Sequence, residues 1–316
     1  MPGPRALACP ASLKGVLTAA EAAHALGKGF DRAGVDWHGA PVADGGEGTV
    51  AALSRDGLGH YDVRDAFGRP RSALVGRLGD SLVVEAAQVL PFDAGRLDPL
   101  AASSRGLGKL LAQVQAPRLI VGLGGTATMD AGAGLLEVLS ALPAPTTVLC
   151  DVQTTLYDAP RLFGPQKGAT PEQVEELEER FRAVSALAPF ASLPGSGAAG
   201  GLGAALASLG AELMPGARTA LDLIGLDVRG YVLVVTGEGR VDATTAEGKA
   251  PAEVVRRCAD AGVACVVFGG VVTEPLAEVE TVALSGDPAR ATEDLVELGL
   301  RLGTRLADAS ADGPRR

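Results

Sequence analysis

Within five residues, Glu238, Arg240 and Asp242 present a carboxylate, a guanidinium and a second carboxylate on the segment Thr236-Gly237-Glu238-Gly239-Arg240-Val241-Asp242. Such a set can hold and activate an anionic hydroxyl substrate. The guanidinium pairs with carboxylate or phosphate oxygens, and a carboxylate beside it accepts a proton. The apolar, β-branched run at 231–235 reads as a buried strand, so Gly237 and Gly239 are expected to open a turn just past its end. Ligands sit there in open α/β sheets. A solvated loop is the plain alternative, but three charges in five residues exceed what a turn needs.

The design recurs. Asp44-Gly45-Gly46-Glu47-Gly48-Thr49 follows a strand-like stretch at 35–42. Asp44 and Glu47 are hard oxygen donors of the kind Mg²⁺ takes one or two at a time, although Asp44 equally suits a helix cap. After a strand at 119–122 comes an uncharged version, Leu123-Gly124-Gly125-Thr126-Ala127-Thr128. Its backbone N–H groups and hydroxyls suit phosphate, with Gly124, Gly125, Thr126 and Thr128 as the expected cradle. Pro10-Ala11-Ser12-Leu13-Lys14-Gly15 follows a first strand at 6–9 and offers Lys14 as a point charge. Alone, Lys14 reads as a surface lysine.

Two further segments are weaker. Gly164-Pro165-Gln166-Lys167-Gly168 puts Lys167 on a constrained turn before a helix. Gly195-Ser196-Gly197-Ala198-Ala199-Gly200 spells G-x-G-x-x-G, but no clear strand precedes it and no acidic partner follows at the expected distance. Helix packing, or Gly197 approaching a phosphate, explains it better than dinucleotide binding. The P-loop and the H-R-D and D-F-G kinase signatures are absent from the sequence.

Composition narrows the class. Of 316 residues, 47% are apolar, 43 are glycine and 3% are aromatic, which suits an α/β chain with many tight strand–helix turns. The net charge of −10 and the scarcity of aromatics argue against a nucleic-acid partner. No stretch reads as a signal peptide or membrane span. Cys9, Cys150, Cys258 and Cys265 lack metal-ligand spacing and read as reduced thiols of a cytoplasmic protein.

The elements that must position these residues alternate between strand and helix. Thr18 and Glu21 form a capping box for a helix to residue 31, and Thr170 caps a helix over 171–187. Short segments at 61–64, 72–78 and 82–85 are spaced for hairpins. Two α/β domains are expected. One is discontinuous, residues 1–60 and 218–316, with a flavodoxin-like parallel sheet of order 2-1-3-4-5. The other, 61–217, is an inserted mixed α/β domain, and the cleft between them is the expected ligand site.

In their order along the chain, these motifs resemble the bacterial glycerate kinase family that includes the 2-phosphoglycerate-forming enzymes. The carrying segments are residues 10–15, 43–49, 124–135, 150–152, 163–170, 195–203 and 236–251. The resemblance implies a two-domain α/β fold and transfer of the γ-phosphoryl group of ATP, with Mg²⁺, to a hydroxyl of D-glycerate. It leaves room for a homo-oligomer. The chain departs from the family pattern at Ala11 (usually aspartate), Met129 (asparagine), Ala131 (glycine) and Thr154-Thr155 (Asn-Pro). The connection from Gly134 to Cys150 is also shorter than usual.

For such a reaction, Lys14 and Arg240 are expected to neutralise substrate or phosphoryl charge, with Asp44 and Glu47 serving Mg²⁺. Asp242 is expected to accept the hydroxyl proton, with Asp151 as the alternative. Two other readings stay open. One is a catalytically weak homologue that binds nucleotide or a hydroxy acid; the other is a dinucleotide-dependent hydroxy-acid oxidoreductase, resting on 195–200 alone.

Overall fold

A computed structural model describes residues 5–246 and 248–311. Among these, β1 (Arg5–Pro10) and β2 (Asp36–Gly39) come first. Six strands follow: β3 (Leu58–Arg64), β4 (Pro70–Leu78), β5 (Ser81–Glu85), β6 (Arg118–Gly122), β7 (Thr146–Cys150) and β8 (Glu212–Pro215). The last three are β9 (Leu233–Val241), β10 (Ala264–Val272) and β11 (Glu280–Ala283). The chain divides into two compact units, Met1–Ala43 with Leu221–Arg316, and Asp44–Ala220.

The first unit is a five-stranded parallel sheet in the order β2-β1-β9-β10-β11, the expected flavodoxin-like arrangement. Its core includes Leu26, Phe30, Val235, Phe268 and Leu295. The Ala19–Arg32 helix starts at the expected capping box, with Thr18 and Glu21 each bonding the other's backbone. Glycine lets this helix lie against the Ala291–Ala311 helix backbone to backbone: a Cβ on Gly29 would come within 2.3 Å of Val296 O, and one on Gly299 within 2.2 Å of Leu26 O. That last helix runs to Ala311, and residues 312–316, whose sequence reads as a tail, lie outside those described.

One local expectation is overturned. The segment 236–241 is strand, not turn, because β10 runs beside it as far as Val272 and supplies its hydrogen-bonding edge. Gly237 is needed for packing rather than for an unusual backbone angle. A Cβ there would meet Phe268 O at 2.2 Å and the Phe268 ring at 2.6 Å.

The second unit carries a six-stranded sheet in sequential order, β3 to β8. The expected hairpins are present, with β3, β4 and β5 antiparallel, while β5 to β8 are parallel. One core packs Val84, Leu110, Val121 and Val148 together; a second gathers Met129, Leu177, Phe181 and Ala205. The Pro171–Ala183 helix is capped by Thr170, as its sequence indicates. Residues 44–60, expected with the first unit, pack with the second. Val50 of the Thr49–Leu53 helix and Ser54 just after it abut Gly76 of β4, and Gly45 O accepts the Gly124 N–H. The hydrophobic Val50 and Leu53 thereby bury against this sheet.

Candidate functional site

In the second unit, β5, β6 and β7 end side by side, with Glu85 opposite Gly122 and Gly122 opposite Leu149. The turn at 44–49 and the loop at 123–128 cross this edge. They lie so close that side chains are excluded. A Cβ on Gly124 would sit 2.5 Å from Gly46 Cα and 2.8 Å from Asp151 Oδ2, and one on Gly45 would sit 2.6 Å from Leu149 O. The edge therefore gathers Asp44, Glu47, Gly124, Gly125 and Asp151, five of the residues singled out by sequence.

The turn is closed from several sides. Gly46 N–H donates to Asp44 Oδ1 (3.0 Å), and the Thr49 hydroxyl donates to Gly46 O (2.7 Å). Gly45 and Gly48 hold φ values of 95° and 92°, a region open to glycine without strain. Asp44 thus orders its own turn, while Glu47 stands exposed.

Sequence reasoning missed Glu85. It is fully buried, and Oε2 accepts the N–H groups of Gly48 and Val50, each at 3.1 Å. Among the described residues Oε1 has no hydrogen-bond partner. Burial pushes its carboxyl above the usual range, and Glu47 adds to this, against the two backbone donors and the Gln88 side chain nearby. Leaving a buried polar atom unsatisfied costs about 1–3 kcal/mol, more for a charged group. The available signal was a carboxylate ending the otherwise apolar run Leu82-Val83-Val84.

The phosphate-cradle expectation is modified in detail. Gly124 N–H is already given to Gly45 O (3.0 Å), and the Thr128 hydroxyl to Ala199 O (3.1 Å). Gly125 takes the left-handed conformation at φ 75°, and the Thr126 hydroxyl is buried without a partner. Thr126 is thus the loop's hydroxyl with unspent donor capacity.

Lys167 is buried, and its Nζ donates to Thr128 O at 2.9 Å. Burial lowers the ammonium to about 8 from an ordinary 10.5, against the pull of Asp151 and Asp130. Between about pH 8 and 10.5 the unfolded chain therefore binds more protons at this site than the folded one, so stability rises with pH across that window. Relative to Lys167→Met, the native protein should gain about 3 kcal/mol over the interval, read from denaturant unfolding at pH 7, 9 and 10.5. Parallel profiles for the two proteins would refute the assignment.

Asp130 is structural. Its carboxylate accepts N–H groups of Ser104, Gly132 and Gly134 and the Ser104 hydroxyl. Met129 beside it is core, and Ala131, where the family favours glycine, is held at φ 52°. The G-x-G-x-x-G segment follows a 3-10 helix (Ser185–Phe190), not a strand. Gly197 gives its N–H to Thr154 O, and its missing Cβ makes room for Thr155 O. Gly200 makes room for Thr128 O in the same way. These are packing glycines, and the dinucleotide reading loses its one support.

In the first unit, Asp242 stands just past the end of β9. Its Oδ1 accepts the Thr244 N–H (3.0 Å) and hydroxyl (2.6 Å). That hydroxyl, helped by Lys249 and Arg240, holds the carboxyl below its usual range. Thr245 links the two acids, accepting the Asp242 N–H and donating to Glu238 Oε1 (2.8 Å). Lys249, to which no role was given from sequence, lies 3.8 Å from Glu238 Oε2. Lys14 is exposed on a tight turn closed by Leu13 and Leu17, and Gly239 lies against that turn. All four cysteines are unpaired, and burial with Asp151 pushes the Cys150 thiol up to about 12. No helix among the described residues is long and apolar enough to cross a membrane.

Comparison with known proteins identifies the family of the chain. The glycerate kinase family profile matches residues 6–144 and 143–287, two stretches that meet inside the short Gly134-to-Cys150 connection. The chain is 34% identical over 299 residues to glycerate 2-kinase of Escherichia coli (strain K12), covering 77% of this chain and 78% of that protein. It is 32% identical over 323 residues to glycerate kinase of Bacillus subtilis (strain 168), covering 84% of each. A solved structure described as glycerate kinase 2 from Salmonella typhimurium LT2 is similar with a TM-score of 0.79 and 29% identity, covering 98% of this chain and all of that one. The chain belongs to the glycerate kinase family.

Proposed function

We propose that this protein transfers the γ-phosphoryl group of ATP to a hydroxyl of D-glycerate with Mg²⁺, giving 2-phosphoglycerate. The observation that carries this reading is the strand-end cluster of the second unit. There a glycine-tight turn with two carboxylates, a loop with an unspent hydroxyl, and Asp151 share one sheet edge in a chain of this family. Phosphoryl transfer asks chiefly for positioning and charge neutralisation, and such an edge supplies both.

Mg²⁺ fits the donors present. Among the described residues no group of three or more His, Cys, Asp or Glu side chains could hold an ion unaided. An ATP-borne Mg²⁺ needs only one or two carboxylates, with phosphates and waters completing its shell. Asp44 and Glu47 would hold it. When bound, the ion neutralises phosphate charge and orients the transferred group.

The chain's own residues do the rest. Thr126, with Gly125, receives nucleotide phosphates, and Lys167 steadies that loop through Thr128 O. Lys14 and Arg240 receive the substrate carboxylate or the transferring oxygens. Asp242, kept ionised by Thr244, accepts the hydroxyl proton, with Asp151 as the alternative acceptor. The four unpaired cysteines fit a cytoplasmic setting.

The test is ADP release by purified protein given ATP, Mg²⁺ and D-glycerate, with L-glycerate and glycerol as controls. Turnover should require both Mg²⁺ and D-glycerate, and ³¹P NMR should place the new phosphate on the 2-hydroxyl. A folded, ATP-binding protein without glycerate-dependent turnover would favour the weak-homologue reading.

A further inference from the structure

The strongest unexplained feature of the molecule is Glu85. The Thr49–Leu53 helix has Gly48 at its N-cap, so no side chain of its own turn can receive its first N–H groups. Thr49 N–H goes to Gly46 O, and the N–H groups of Gly48 and Val50 go to a carboxylate from β5. Glu47 directly precedes Gly48, so those bonds grip the backbone right beside the exposed carboxylate. A neutral acceptor would satisfy both N–H groups without leaving a buried carboxylate oxygen orphaned, as Oε1 is here.

We propose that Glu85 is a positioning residue for phosphoryl transfer, tying the turn that carries Glu47 to the end of β5 and fixing Glu47 against the 123–128 loop. The supporting geometry is the pair of 3.1 Å bonds from Oε2 to Gly48 and Val50. Gly125 completes it, since a Cβ there would lie 3.4 Å from Ala87 Cβ and 3.9 Å from Glu47 N. The loop, the residues just past β5 and the turn therefore meet at one place. The inference rests on the kinase reading and on the role given there to Glu47.

The experiment is a double-mutant cycle on ATP- and D-glycerate-dependent turnover. Glu85→Asp draws the carboxylate back by one carbon–carbon bond, and a displacement of that order costs on the order of 10²-fold in rate. kcat should fall by about that factor, with KM for glycerate within about threefold of native, because the substrate carboxylate is held elsewhere. Glu85→Gln keeps an acceptor at full reach and should recover at least about tenfold over Glu85→Asp. Since Glu85 acts through Glu47, the Glu47→Gln/Glu85→Asp double variant should be no slower than Glu47→Gln alone.

Losses that multiply in the double variant overturn the proposal, as does a Gln variant as slow as the Asp one, or native turnover in Glu85→Asp. Should Glu85→Asp fail to fold, Glu85→Gln carries the cycle: no further loss on top of Glu47→Gln supports the brace, and multiplied losses refute it. Native turnover in Glu47→Gln removes the role of Glu47 and the brace with it. A slow Glu47→Gln beside an unaffected Glu85→Asp removes the brace alone.

Discussion

Asp242→Asn is expected to lower kcat for ATP-dependent glycerate phosphorylation by ~10²–10³ while leaving the melting temperature near native. The substitution is conservative where the structure is concerned. Asp242 Oδ1 receives the Thr244 N–H and hydroxyl, and the amide oxygen of asparagine can receive both. Only the charge and basicity are lost. The Thr244 hydroxyl, with Lys249 and Arg240, holds the Asp242 carboxyl below its ordinary range. The residue therefore stays ionised as pH falls through that range, and any acid limb it causes in kcat/KM should lie below the usual carboxylate region. Steady-state rates from about pH 3 to 9, with the fold checked at each pH, test both points. Near-native turnover in the asparagine variant would remove Asp242 as the proton acceptor and direct attention to Asp151.

Lys14→Ala is expected to cost a similar ~10²–10³ in kcat/KM with no loss of fold. Lys14 is exposed at the tip of the Leu13–Leu17 turn, and the left-handed position there, φ 72°, belongs to Gly15. An alanine at 14 thus leaves the turn's backbone requirement untouched, and a loss of activity reports the missing ammonium. Lys14→Arg separates charge from shape. A point charge reaching an anion tolerates the change poorly if a compact ammonium is required, since a guanidinium is planar and bulkier. Full activity in Lys14→Ala would return this residue to the surface-lysine reading.

Much of the fold was legible because its signals are local. Capping boxes at Thr18 and Thr170, β-branched strands and closely spaced hairpins each depend on a few neighbouring residues. Strand order followed from the alternation of elements. What escaped depends on partners far along the chain. Residues 236–241 look like a turn because glycines and charges interrupt the apolar run, yet β10 beside them makes them strand. The Thr49–Leu53 helix is too short to announce which sheet it covers, and only the placement of Gly76 settles it. β8, the segment Glu-Leu-Met-Pro, has no alternating pattern and exists because β7 offers it an edge.

The site was legible as a set of motifs but not as a network. Asp44, Glu47 and Gly124 were visible from glycine-rich spacing and Asp151 from the family resemblance, and their convergence came from the parallel register of β5, β6 and β7. Glu85 was hidden because a charged residue closing an apolar strand usually marks only the strand's end. Its significance lies in a burial and an acceptor role that involve residues 35 and 37 positions away.

The order of strands in the first sheet has a consequence for biosynthesis. β1 lies between β2 and β9, and its partner on the second side, Leu233 opposite Ala6, leaves the ribosome more than two hundred residues later. By the end of that interval the whole second unit, contiguous from Asp44 to Ala220, has been made. The nascent chain therefore carries that unit and, ahead of it, a buried-type strand with one bare edge. Unpaired edges of that kind are what aggregation exploits and what chaperones cover. Completion of the first unit waits for the residues from Leu221 onward, and until then β1 keeps that bare edge.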